Sequence, residues 1–200
     1  MSKGQTPSQT VGPYFAYGLT PEQYGYPLTS IASADLRTPD VEGERIRLEG
    51  RVLDGAGESV NDAMIEIWQA DPQGRYAPPA GARGDVALPN RTFGGFGRCG
   101  TGTDAEHRFV FDSLKPGAVD EVQAPHINVI VFMRGLLSHL YTRIYFADEA
   151  EANAKDPVLN SVPEERRGTL IAGCRDDDGV AVYTFDIHMQ GERETVFFDV

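Results

Sequence analysis

The sequence predicts an all-β fold: a β-sandwich with an extended N-terminal arm and short helical insertions. Three observations predict it. Short stretches of alternating apolar and polar residues recur from Arg45 onward, clusters of Gly, Asp and Pro separate them, and the first 45 residues carry neither the strand nor the helix period.

In chain order, the arm comes first. Residues 1–45 are rich in Gly, Pro, Thr and Tyr, as in "QTVGPYFAYGLTPEQYGYP". Tyr14, Phe15, Tyr17, Tyr24 and Tyr26 are too many rings for a solvated tail. The arm is therefore expected to dock its rings on something else, and residues 46–200 to form a single β-sandwich domain. "RIRLEGRVLD" alternates Ile46, Leu48, Gly50 and Val52 before the turn "GAG". "AMIEIWQA" sets Met64, Glu66 and Trp68 against Ile65 and Ile67. "HRFVFDSL", "HINVIVFMRG", "HLYTRIYF" and "VAVYTFDIHM" repeat the pattern, with "DGAG" and "DDDGV" as tight turns.

Two stretches break the strand rhythm and read as helices. "ADEAEANAK" is rich in Ala and Glu and places Lys155 at its end. "VPEERRGTLIAG" has Pro163 where a first turn tolerates it, then Glu164 and Glu165. "GGFGRCGTG" lacks the Lys of a phosphate loop, so its glycines read as turn residues.

Composition narrows the function classes. With 200 residues and a 40% hydrophobic share, the chain can bury a proper core. A net charge of -12 argues against nucleic acid or an anionic membrane as partner. It also means that a small anionic substrate would need a local cation. No apolar run reaches the length of a membrane span, and "MSKGQTPSQT" lacks a signal-peptide core, so a cytoplasmic location is expected. Cys99 and Cys174 are expected as reduced, buried thiols.

His107, His139 and His188 read as structural residues, and Trp68 and the Phe197–Phe198 pair as core or interface. No H-x-H, H-x-x-x-H, C-x-x-C or G-x-S-x-G spacing occurs. His126 and Asn128, however, share one face of a strand where His-x-His would chelate a metal. The residues alone stop at a β-sandwich with a site near His126.

The window from Leu48 to Tyr76, "LEGRVLDGAGESVNDAMIEIWQADPQGRY", resembles the signature of the intradiol ring-cleavage dioxygenases. It carries Leu48-x-Gly50-x-Val52, Gly57, Val60, Ile65-Glu66-Ile67 and Gly74-x-Tyr76. "QTVGPYF", "FGGFGRCGTGTDAEHRFVFDSLKPG", "PHINVIVFMRG" and "TFDIHMQGERETVFFDV" extend the resemblance from about Thr6 to Val200.

The resemblance implies ring cleavage of a catechol at a ferric ion held by two tyrosinates and two histidines, the phenolates being anionic oxygen donors suited to a hard cation. Of the four ligand positions, Tyr76 and His126 are kept, while Val119 and Asn128 stand where a phenol and an imidazole belong. A neutral amide and an alkyl group cannot replace them, so no metal is expected in this chain. The implied cofactor is Fe(III) held by a homologous β subunit, in αβ pairs of a larger oligomer acting on a small aromatic diol acid and O2. Thr10, Gly12, Pro13 and Tyr14 of "QTVGPY" are then expected to contribute to the partner's pocket, with Arg134 offsetting the substrate carboxylate. Tyr76 and His126 are expected to persist as packed residues. Two rival readings remain at this point: a free-standing enzyme using Asp120, Glu121 or His139 as substitute ligands, and a scaffold without any catalytic role.

Overall fold

Alternation decides how the first strand, β1 (Arg45–Leu53), sits: Ile46, Leu48, Gly50 and Val52 turn inward, and Arg45, Arg47 and Arg51 face water. The computed structural model describes residues 9–12, 14–77 and 93–199. Its further strands are β2 (Met64–Gln69), β3 (Phe96–Gly100), β4 (Arg108–Leu114), β5 (His126–Phe132), β6 (Leu140–Phe146), β7 (Ile171–Asp177), β8 (Val180–Thr184) and β9 (Ile187–His188).

Their order is β3-β2-β5-β6-β7-β8-β1-β4, with β9 pairing β1 off that path. The β3-β2-β5-β6 half is antiparallel throughout, whereas β1 is antiparallel to β4 and parallel to β8. Among the described residues, the strands of the two halves pair through Tyr145↔Ile171 and Phe146↔Ala172, a short parallel pairing of β6 with β7. The halves face each other across a core of Ile46, Leu48, Phe109 and Phe111 against Ile65, Ile67, Ile127, Val129 and Ile144. This is the expected all-β sandwich, nearly closed into a barrel.

Part of the arm completes the closure. The backbone of Ser33–Leu36 lies between the edges β3 and β4: Arg98 N donates to Ser33 O at 3.1 Å, Asp112 N to Ala34 O at 3.0 Å, and Leu36 N to Asp112 O at 2.8 Å. Edge strands left open invite wrong pairing, and this segment covers both. Upstream, α1 (Phe15–Leu19) and a 3₁₀ turn (Glu22–Tyr24) lie along β3. Gln23 bonds Gly100 twice, accepting from its N–H at 2.9 Å and donating to its C=O at 2.6 Å. Arg98 pairs with its cross-strand neighbour Glu66 at 2.6 Å and donates to Leu19 O at 3.2 Å.

This packing explains one departure from the sequence reading. The "GGFGRCGTG" glycines are not all turn residues, because Gly97 and Gly100 lie within β3. A Cβ at Gly97 would press on Leu36, Ser33 O and the Phe111 ring, so the position is kept bare where the arm crosses.

The helical insertions are shorter than expected. "ADEAEANAK" forms a 3₁₀ turn (Ala147–Glu149) running into α2 (Ala150–Asn153). Pro163 stands before α4 (Glu164–Arg167), not inside it, and after a 3₁₀ turn (Gly168–Leu170) the chain is already in β7 at Ile171. Between them, α3 (Pro157–Ser161) is capped by Asp156, whose carboxylate accepts from Val158 N and Leu159 N. "VAVYTFDIHM" is two strands, β8 and β9.

His107 and His139 lie outside strands; His107 adopts φ 57° in the turn before β4. Cys99 is buried as expected, but Cys174 is exposed on β7; neither forms a disulfide. No helix among the described residues is long and apolar enough to cross a membrane.

Candidate functional site

Register across β2, β5 and β6 assembles the first cluster. Trp68 pairs with Asn128, and Asn128 with Arg143, so three neighbouring strands set these residues side by side. Because side chains alternate, they stand on the face opposite Ile127, Val129 and Ile144, together with His126. Tyr76 reaches them from the loop after β2. That loop turns at Gly74, where φ is 78° and a Cβ would collide with Ala118 O, with the Cα of Val119 just beyond. Tyr76, Val119, His126 and Asn128 thus belong to one neighbourhood.

Hydrogen bonds fix each group. His126 is 3% exposed, and its Nδ1 donates to Ala124 O at 2.8 Å, which leaves Nε2 as the lone-pair nitrogen. The Tyr76 hydroxyl lies 3.5 Å from that Nε2. Asn128 Nδ2 donates to Tyr76 Oη at 3.0 Å and to Trp68 O at 3.3 Å. Its Oδ1 accepts from Arg143 Nε at 3.1 Å. The amide can point only this way, since a guanidinium only donates and the Trp68 carbonyl only accepts. Trp68 stacks on Tyr76, with 5° between planes and 6.0 Å between centroids.

Electrostatics follow burial. Burial pushes the Tyr76 phenol up, against the opposing Asn128 hydrogen bond and Arg143 charge. Burial also pushes the His126 imidazole down, with the Arg143 charge in the same direction and the Ala124 hydrogen bond and the Asp156 and Asp120 charges opposing it.

This donor set does not fit a ferric ion. Val119 offers no donor, Asn128 presents N–H groups to Tyr76, and a guanidinium stands directly behind. Among the described residues, no three His, Cys, Asp or Glu side chains gather as they would around a metal. The suggested substitutes do not converge. Asp120 accepts from Val122 N and Gln123 N on the surface, Glu121 is exposed beside it, and His139 lies beyond the far end of β5 against Tyr141.

The other candidates form a second cluster at that far end, about 20 Å from His126 along the strand. Arg134 follows β5 in a turn and pairs with Asp62. The next residue, Gly135, donates its N–H to Thr10 Oγ1 at 3.1 Å. Gln9 and Val11 line a cleft of about 220 Å³ with Phe132, Met133, Leu137 and His139. Gly12 is exposed, as is Tyr14 at 78%, while Pro13 lies outside the described residues. Thr10 and Arg134, distant in sequence, are therefore neighbours.

Three contributors escaped sequence reasoning: Arg143, the stacking role of Trp68, and the Asp62 partner of Arg134. Arg143 shares the face of Tyr141 and Tyr145 in "LYTRIYF", but only strand register puts it behind Asn128.

A family model described as "Dioxygenase" matches residues 12–191. The protocatechuate 3,4-dioxygenase alpha chain of Burkholderia cepacia is 57% identical over 98% of both chains. The corresponding alpha chain of Pseudomonas putida is 46% identical over 98% of this chain and 96% of its own. The beta chain of the Burkholderia cepacia enzyme is 37% identical, over 76% of this chain and 67% of its own. Among solved structures, the 3-chlorocatechol 1,2-dioxygenase of Rhodococcus opacus 1CP shares the fold at a TM-score of 0.59 and 22% identity, covering 92% of this chain and 71% of its own. With the Tyr76–His126 pair in place on this sandwich, the chain belongs to the intradiol dioxygenase family, whose chemistry depends on iron.

Proposed function

We propose that the chain is the α subunit of a protocatechuate 3,4-dioxygenase, completing the active site of a homologous β subunit that holds the Fe(III). The enzyme adds both atoms of O2 across the bond between the two hydroxyl-bearing ring carbons, giving 3-carboxy-cis,cis-muconate. One observation carries the reading: the family fold is intact while Val119 offers no donor and the Asn128 amide is engaged by Tyr76 and Arg143, the two residues read here as standing at lost ligand positions being Val119 and Asn128. The iron this family depends on must then be held by another chain, and a beta chain exists among the relatives. The reading places the αβ assembly in the cytoplasm, in keeping with the unpaired Cys99 and Cys174.

Thr10, Gly12, Pro13, Tyr14 and Arg134 are the residues proposed to reach the partner's pocket. Support comes from the shared location of Thr10 and Arg134 and from their exposure; the Arg134 side chain is 54% accessible. A guanidinium there supplies the local cation that an acidic chain otherwise denies a carboxylate substrate. Residues 1–45 are proposed to dock on the partner through the Tyr14, Tyr17 and Tyr26 rings, which remain exposed although Leu19–Leu36 is anchored to β3 and β4.

The test is reconstitution with the β chain. The complex should cleave protocatechuate and the isolated α chain should be inactive; turnover by the isolated chain would contradict the proposal. One observation favours the scaffold reading: Arg134 is already paired, with Asp62. Unchanged turnover and KM in a complex carrying Arg134→Ala, together with unchanged values after deletion of residues 1–13, would make the chain a scaffold only.

A further inference from the structure

The vacated site is not simply missing ligands, because its remaining donors are consumed in a chain of hydrogen bonds that ends on a cation. Ala124 O accepts from His126 Nδ1, so the Nε2 lone pair, the one a metal would use, faces the Tyr76 hydroxyl proton. The Tyr76 oxygen in turn accepts from Asn128, and Asn128 Oδ1 accepts from Arg143 Nε. Arg143 Nη1 also reaches Gln123 Oε1 at 3.5 Å. Arg143 has no carboxylate partner among the described residues, although the chain carries 30 Asp and Glu. The half-buried guanidinium also engages the Tyr145 hydroxyl, so its hydrogen-bond partners are amides and a phenol, and its charge acts on both Tyr76 and His126.

We infer that Arg143 bars metal from this pocket: its guanidinium takes the place of the metal's positive charge, so restoring the lost ligands does not restore iron binding while that charge remains. The electrostatic reason is direct. A multivalent cation would sit beside a fixed positive charge in a partly dehydrated pocket, and it would have to displace the amide that the guanidinium anchors. The inference rests on the reading that Tyr76, Val119, His126 and Asn128 stand at the family's ligand positions.

The test compares the full chain carrying V119Y/N128H with the same chain carrying R143Q or R143K in addition. Each is incubated with ferrous ion in air and gel-filtered, and retained iron and tyrosinate-to-iron absorption are measured. The R143Q version is expected to retain about one iron and develop colour, with affinity at least roughly a hundredfold above the Arg143 version. R143K keeps the charge and should behave like Arg143; this separates charge from shape. If V119Y prevents folding, the same comparison is made on N128H with and without R143Q.

Equal iron retention with and without R143Q, whether both bind or neither does, overturns the inference, as does strong binding by the R143K version. Protocatechuate turnover by the unaltered chain with its β partner tests the proposed function separately. Turnover there alongside equal iron retention here would retire the role of Arg143 and leave the function standing.

Discussion

Replacing Asp156 with alanine should destabilise the chain by about 4 kcal/mol. Its carboxylate is fully buried yet accepts four hydrogen bonds: from Ala124 N at 2.9 Å, Tyr145 Oη at 3.0 Å, Val158 N at 2.9 Å and Leu159 N at 2.8 Å. The last two cap α3, a contribution of about 1 kcal/mol. The first two become buried donors without partners, each costing roughly 1–3 kcal/mol. The sum lies in the upper tail for point substitutions. For a chain of this length it corresponds to a Tm lowered by about 8–16 °C. Asp156→Asn keeps one acceptor oxygen and should lose about half as much. Differential scanning calorimetry of the three proteins is the assay. A drop below about 3 °C for Asp156→Ala would refute the reasoning, since it would mean that water or a shifted helix satisfies those donors. The same substitution frees Ala124, whose carbonyl orients His126, so it should loosen the first cluster.

Gly74→Ala places a side chain at positive φ and against Ala118 O, and should cost at least about 2 kcal/mol in urea denaturation. In the assembled complex, Arg134→Ala should raise KM for protocatechuate roughly tenfold or more, the loss of one charge-assisted contact, with a smaller effect for a catechol lacking the carboxylate. The Arg108 guanidinium hydrogen-bonded to Asp104 holds that carboxyl down at about 2. A depressed acid contributes stability above its ordinary pKa of 3.8 and loses it as pH falls toward about 2. Asp104→Asn should therefore flatten the acid limb of a Tm-against-pH curve in that window, by a small amount because the pair is solvent-screened.

Most strands legible in the sequence have one wet face; β2 is buried on both and was legible from Glu66 and Trp68 alternating with Ile65 and Ile67. β1, β4 and β5 alternate because one side meets the core and the other meets water or polar groups, and β6 does so until Ile144, Tyr145 and Phe146 are all buried. β3 was hidden because its glycines serve the crossing arm, a contact between residues more than 60 positions apart. β7 was hidden because Gly173–Asp177 are exposed; "CRDDDG" reads as a turn, and only its register with β8 makes it a strand. Helix α1 lay within a stretch whose Gly and aromatic residues show no period.

At the site, Tyr76, His126 and Asn128 could be found from a motif and a two-residue spacing, and Val119 from its offset after the Lys-Pro-Gly turn. Arg143 could not. Its importance comes from a cross-strand partner 15 residues away, and nothing local distinguishes it from a solvated strand cation. Asp62 beside Arg134 is hidden for the same reason.

Iron per αβ pair, counted by plasma mass spectrometry on the active complex, bears most directly on whether this chain leaves the metal to its partner. The account predicts one iron for each pair, unchanged when His126 of this chain is replaced by alanine. Two irons per pair, or loss of iron on that replacement, would contradict it.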